Sequence, residues 1–185
     1  MLNSILSHSA TIFGSVSAMQ YLRSVGCPWS QRTCFLAAEH GHLHILQMAR
    51  DYGYPWSDVR TCTVAAKNGH LHIVQYARDN GCPWDKETCA NAAWNGHFNI
   101  LQYARKYGCP CDELTCVNAA WNGHLHILHY ARENGCPCDE LTCVNAALNG
   151  HLHILQYARI HGCPWNNDKI EHAAEFGRLQ RLKNG

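Results

Sequence analysis

Residues 108–134 read GCPCDELTCVNAAWNGHLHILHYAREN and residues 135–161 read GCPCDELTCVNAALNGHLHILQYARIH. They differ only at Trp121/Leu148, His129/Gln156, Glu133/Ile160 and Asn134/His161. Such self-similarity decides the fold, because a copied residue has to be read as a copy before it is read alone. Working outward, Gly-x-Pro opens a repeat at Gly26, Gly53, Gly81, Gly108, Gly135 and Gly162, in steps of 27, 28, 27, 27 and 27 residues.

Each repeat divides into two short helices. Four residues after its glycine stands Ser30, Asp85, Asp112, Asp139 or Asn166, side chains that can accept an orphan backbone N–H at a helix start. In the 28-residue repeat the extra residue is read as Ser57, leaving Asp58 as the cap. A first helix over 86–95 puts Cys89, Ala92 and Ala93 on one face at i, i+3, i+4 and stops at Gly96. A second over 97–107 carries Ile100, Leu101, Tyr103 and Ala104, an apolar face wide enough to meet neighbours on two sides. Gly108 ends it and Pro110 prevents continuation.

So short a pair cannot bury its apolar face alone, and stacking supplies the missing core. The expectation is an all-α solenoid of about seven stacked helix-turn-helix repeats with shortened or absent β-hairpins. It forms one domain over 1–185, with units 1–25, 26–52, 53–80, 81–107, 108–134, 135–161 and 162–185. Paired alanines (37/38, 65/66, 92/93, 119/120, 146/147 and 173/174) would let first helices approach to about 8–10 Å. Ile170 replaces the repeated Cys in the last unit, and residues 168–185 carry seven charged side chains, a polar closing end.

Composition narrows the function classes. Fifteen Lys plus Arg against fourteen Asp plus Glu leave a net charge of +1, too small a field to draw in nucleic acid or an anionic membrane. No apolar run is long enough to span a bilayer. No charged side chain precedes Arg23, so the basic start of a secretory signal is missing. An intracellular, cytoplasmic protein is expected, monomeric, without a cofactor. Self-association through the uncharged first unit is an alternative.

The twelve Cys and fourteen His are the outliers, and copy number explains them. Equivalent cysteines such as Cys89, Cys116 and Cys143 lie one repeat apart, about 10 Å, beyond the reach of a disulfide or of shared zinc. They read as small packing residues. Cys109, Cys111 and Cys116, and likewise Cys136, Cys138 and Cys143, could approach one another around a Cys-Pro-Cys loop, which leaves a metal- or redox-responsive module as the alternative function. His-x-His pairs such as His124/His126 lie on opposite sides of a helix and cannot grip one ion together. No catalytic dyad, phosphate loop or carboxylate pair stands out, so no enzyme is expected. Arg23, Arg50, Arg78, Arg105, Arg132 and Arg159 form a column read as offsetting helix C-terminal dipoles and meeting acids such as Asp51 and Asp79.

The matches Thr88-Cys89, Ala92-Ala93, Gly96-His97, Ile100-Leu101 and Gly108 resemble the ankyrin repeat. The unit is shorter, 27 residues against 33, and Thr-Cys stands where the family has Thr-Pro. This Gly-Cys-Pro-Trp-Asp variant is similar to the ankyrin-type repeats of large DNA viruses of amoebae. The resemblance implies a non-catalytic scaffold that binds a partner protein, for a viral chain a host protein in the host cytoplasm. It implies the concave helix face as the binding face.

Positions that differ between copies are where specificity is expected. Those before the Gly-His turn are Glu39, Lys67, Trp94 with Asn95, Trp121 with Asn122, and Leu148 with Asn149; before Thr-Cys they include Leu114 and Leu141. The expected surface is charged early and apolar in the middle, with Trp94, Trp121 and Leu148 as anchors.

Overall fold

Helix starts follow the capping side chains. The computed structural model describes residues 2–27, 29–56 and 58–184. Asp85 Oδ1 accepts the Glu87 N–H at 3.0 Å, Asp112 Oδ1 the Leu114 N–H at 3.1 Å, and Asp139 Oδ1 the Thr142 N–H at 3.2 Å. Asn166 Oδ1 accepts from Lys169 N–H at 3.1 Å. Each such bond contributes about 1 kcal/mol. Ser30 instead donates its own N–H to Thr33 Oγ1 at 3.3 Å.

The extra residue of the second full repeat has a local consequence. The assignment of the insertion to Ser57 lies outside the described residues, but its neighbour Asp58 is, among them, the one non-glycine at positive φ, 64°. Asp58 sits two residues before its helix and Oδ1 accepts the Arg60 N–H at 2.8 Å. That bond, with the Arg60 guanidinium beside it, holds the Asp58 carboxyl below its ordinary value.

Contacts divide the chain into two halves, Met1–Thr88 and Cys89–Gly185. The first holds α1 (Leu2–Ile12), α2 (Val16–Ser24), α3 (Gln31–Glu39), α4 (Leu43–Asp51), α5 (Arg60–Lys67) and α6 (Leu71–Asp79). Helix α7 (Lys86–Trp94) begins at the boundary, followed by α8 (Phe98–Lys106), α9 (Glu113–Trp121), α10 (Leu125–Glu133), α11 (Glu140–Asn149), α12 (Leu152–Ile160) and α13 (Asn167–Asn184). No strand occurs among the described residues.

Within each half, first helices pack on first helices (α1 on α3, α3 on α5, α9 on α11, α11 on α13) and on their own second helices. The small residues make this possible. Ala37, Ala38, Ala65, Ala66, Ala92, Ala93, Ala119 and Ala120 are fully buried, as are Cys34, Cys62, Cys89, Cys116 and Cys143. Second helices add Ile45/Leu46, Ile73/Val74, Ile100/Leu101 and Ile127/Leu128. Enlarging one alanine, Ala119→Leu for instance, would overpack the layer at about 1–3 kcal/mol.

The turn inside a pair needs glycine. Gly123 has φ +79°, and the His124 N–H then bonds back to the Ala119 carbonyl at 2.9 Å, consuming an orphan carbonyl of α9. The last unit departs from the expected pair: α13 is one continuous helix. Phe176-Gly177-Arg178 replaces Asn-Gly-His there, and Gly177 stays helical because α13 lies against α11. A Cβ on Gly177 would stand 1.9 Å from the Leu148 carbonyl oxygen. On this helix Ala173 is buried and Ala174 exposed.

Candidate functional site

The repeated histidine fixes the backbone at the position that varies. His42 Nε2 lies 2.9 Å from the Ile12 carbonyl, His70 Nε2 3.1 Å from that of Glu39, and His151 Nε2 3.1 Å from that of Trp121. His124 is bonded in the same way to Trp94. Each imidazole thus reaches back one repeat to the C-terminal end of the previous first helix. The side chain leaving that residue is free to change while its main chain is held.

In the second half this arrangement presents two tryptophans together. Trp94 and Trp121 stack with ring centroids 6.1 Å apart and planes 21° apart, and remain 42% and 36% exposed. An aromatic pair adds about 0.5–1.5 kcal/mol, yet here it leaves two large apolar faces toward solvent. Leu114, at the start of the helix that ends in Trp121, and Leu141, at the equivalent place on α11, are exposed. Asn118 Nδ2 donates to the Ala90 carbonyl at 2.9 Å, tying α9 to α7.

Leu148 does not join the tryptophans. It is half-buried and packs with Cys143, Cys163, Ile170 and Ala173 under α13. The asparagine column turns inward: the Nδ2 groups of Asn95, Asn122 and Asn149 donate to the carbonyls of Asn91, Asn118 and Asn145 at 3.1, 3.2 and 3.0 Å. These amides close the ends of their own helices. In the first half, Glu39 and Lys67 line a shallow depression of about 200 Å³ with Phe35, Arg60, Thr63 and Val64.

No protein-family model matches the chain, and no curated protein does. Among solved structures, the human ASB11 ankyrin repeat domain is similar, with a TM-score of 0.71 and 14% identity over 84% of this chain and 83% of that one. The fold is that of an ankyrin repeat solenoid. Trp94 lies on α7, Leu114 and Trp121 on α9 and Leu141 on α11, all first helices of their repeats.

Two expectations about charged and sulfur side chains are corrected. The arginine column serves the loops. Arg50, Arg78 and Arg132 donate to the carbonyls of Tyr54, Cys82 and Cys136 at 2.5, 2.7 and 2.9 Å, and Arg105 donates to that of Cys109. The guanidiniums of Arg50, Arg78 and Arg159 also lie over Trp56, Trp84 and Trp165, 4.3, 4.1 and 5.2 Å from the ring centroids.

The second correction concerns the Cys-Pro-Cys loops, whose cysteines read from the sequence as packing residues, with an approach of three thiols within one repeat as the alternative. Instead Cys111 is disulfide-bonded to Cys136 and Cys138 to Cys163, with Cα atoms 5.5 and 5.7 Å apart. The distance argument against disulfides holds for equivalent cysteines one repeat apart. It misses this diagonal step, in which the fourth residue of one loop meets the second residue of the next. The signal was present: Cys111 and Cys138 stand where other repeats have Trp. Cys109, Cys116 and Cys143 are buried and outside the disulfides, and among the described residues no group of three or more His, Cys, Asp or Glu is disposed around a metal position.

Proposed function

We propose that this chain is a non-catalytic protein-binding scaffold, with the stacked Trp94–Trp121 pair as the centre of its contact surface. One observation carries the reading: two large aromatic faces are kept in solvent on backbone that the histidine column holds rigid. Trp is enriched among residues that dominate binding energy, and a preordered site loses less entropy on association. Leu114 and Leu141 extend the apolar surface, and the carbonyl oxygens of the Asn95 and Asn122 side chains supply polar contacts at its edge. Glu39 and Lys67 form a separate, charged recognition element on the first half.

The partner is a protein, read from the resemblance as a host protein met by a viral chain in the host cytoplasm. A nucleic-acid partner is disfavoured by the near-zero net charge and by the engagement of the arginines with loop carbonyls and Trp faces. Among the described residues no helix is long and apolar enough to cross a membrane. The chain acts as a monomer and without a cofactor in this reading, and the repeated Cys and His serve packing and turns.

Crosslinking capture from lysate, quantified against Trp94→Ala/Trp121→Ala, tests it. The double variant should keep its helical content and lose the captured protein by at least about tenfold. A partner retained equally by the double variant would refute the assignment.

A further inference from the structure

The two Cys-Pro-Cys loops form a covalent chain. Cys111 of one loop is bonded to Cys136 of the next, and Cys138, two residues on in that same loop, is bonded to Cys163 of the third. Three consecutive loops are therefore joined in series through Cys136-Pro137-Cys138.

The exposure of the four cysteines is uneven. Cys111 and Cys138 are half-buried, while Cys136 and Cys163 are buried. A thiolate from solvent thus has one sulfur of each bond within reach. In the Trp-containing repeats an arginine guanidinium stacks on the ring at this loop position. In the same register stand Arg105 for Cys111 and Arg132 for Cys138, whose buried Nε atoms find no hydrogen-bond partner. Their other nitrogens donate to the Cys109 and Cys136 carbonyls, which holds a positive charge at this loop and favours a thiolate formed there.

The neighbouring thiols are kept out of the chemistry. Cys116 Sγ lies 3.9 Å from the Cys136 carbonyl oxygen, and Cys143 packs with Cys163 and Cys138. Both could scramble the disulfides as thiolates, but burial pushes Cys116 up to about 12 and Cys143 up to about 11, so at neutral pH they stay protonated and poorly nucleophilic.

We propose that Cys111/Cys136 and Cys138/Cys163 are reversible thiol–disulfide exchange sites whose co-substrate is a small thiol of the glutathione class, and that their state sets how firmly the last three repeats are tied. A small thiolate attacks Sγ of Cys111; the protein S–S bond breaks and its electron pair leaves on Cys136 Sγ, which takes a proton. A second small thiolate attacks the small-thiol sulfur of the mixed disulfide, releasing the small disulfide and Cys111 as a thiol. Two small thiols are oxidised, one protein disulfide is reduced, and the reverse runs with the small disulfide as oxidant. Cys138 and Cys163 follow the same course. A reducing cytosol would hold the loops open and an oxidising environment would close them.

The test equilibrates the folded protein in reduced and oxidised glutathione at graded ratios. Samples are acid-quenched, unfolded and labelled with one alkylating reagent before reduction and an isotopic form after it. Cys111 with Cys136, and Cys138 with Cys163, should convert pairwise, and the remaining eight cysteines should be thiols throughout. The reduced form should melt about 5–10 °C below the oxidised one. In Cys111→Trp, which restores the residue of the other repeats, Cys136 should read as a thiol at every ratio while Cys138/Cys163 converts as before; Cys111→Ser gives the same readout should the Trp variant fail to fold. Twelve thiols in oxidised glutathione, a different pairing, or equal melting of the two forms would overturn the proposal.

Discussion

The two halves solve one loop problem with different chemistry. In the first, Trp56 lies under the Arg50 guanidinium, donates Nε1–H to the Asn80 carbonyl at 3.0 Å and packs against Cys82 of the next loop. In the second, Cys111 occupies the equivalent place and is bonded to Cys136, the residue equivalent to Cys82. The helix pairs that carry these loops and their buried alanine layers are alike in both. The fourth loop residue is therefore a point at which a noncovalent contact and a covalent bond are interchangeable, because the repeat geometry already brings it against the second residue of the next loop.

The sharpest break in the comparison concerns a glycine. Gly41 in the first half has φ +77°, and a Cβ there would meet the His70 ring at 2.8 Å, a side chain able to shift. Gly177 in the second half faces the Leu148 backbone at 1.9 Å, which cannot. Gly177→Ala should therefore cost about 3 kcal/mol or more and detach α13, against about 1–2 kcal/mol for Gly41→Ala. Chemical denaturation of both variants checks this, and equal losses would mean that α11 and α13 are not in close backbone contact.

Next in size is a transplant. Trp56→Cys puts the second half's solution into the first, with Cys82 already in place. Under reduction it should lose about 2 kcal/mol of aromatic packing; under oxidation it should form a 56–82 crosslink, visible by peptide mass, and recover most of that loss. The Cys62 and Cys82 thiols are hydrogen-bonded to one another, so a 62–82 crosslink in its place would show that the diagonal geometry is peculiar to the second half.

Much of this was legible in the residues themselves. The period, helix pairs, Asp and Asn caps and buried alanines follow from spacing, because short-range geometry decides them. The disulfides did not follow, since their 25-residue separation joins different positions of successive repeats, and only the stacking of loops shows which residues then face each other. The arginines were placed at helix ends, but their contacts with loop carbonyls and Trp faces were not foreseen, because neither carries a charge to betray it. Of the variable surface, Trp94 and Trp121 came together as a copied column would, whereas Leu148 did not, because the last unit is a single long helix lying over it.

That difference predicts a smaller effect on either side of one column. Leu148→Ala should destabilise by about 2 kcal/mol, through the packing lost under α13, and Trp121→Ala by about 1 kcal/mol or less, chiefly the stack with Trp94. Urea titrations measure both, and a larger loss at Trp121 would make it a core residue and weaken its role in binding.

The smallest effect is set by pH. Burial, then the nearby His126, lowers the His124 imidazole below its ordinary 6.5, while its bond to the Trp94 carbonyl works in the opposite direction; His151 and His97 add further repulsion. The unfolded chain then takes up a proton more readily than the folded one. The stability contributed by His124 is whole above pH 6.5 and is lost as pH falls below that value toward the folded one. Thermal melts at pH 8 and pH 5.5 should show a greater acid-induced fall in the wild type than in His124→Gln, which keeps an amide donor for Trp94 and has no proton to gain. Identical falls would place the acid sensitivity of the second half elsewhere in the histidine column and leave Trp94 held by a bond indifferent to pH.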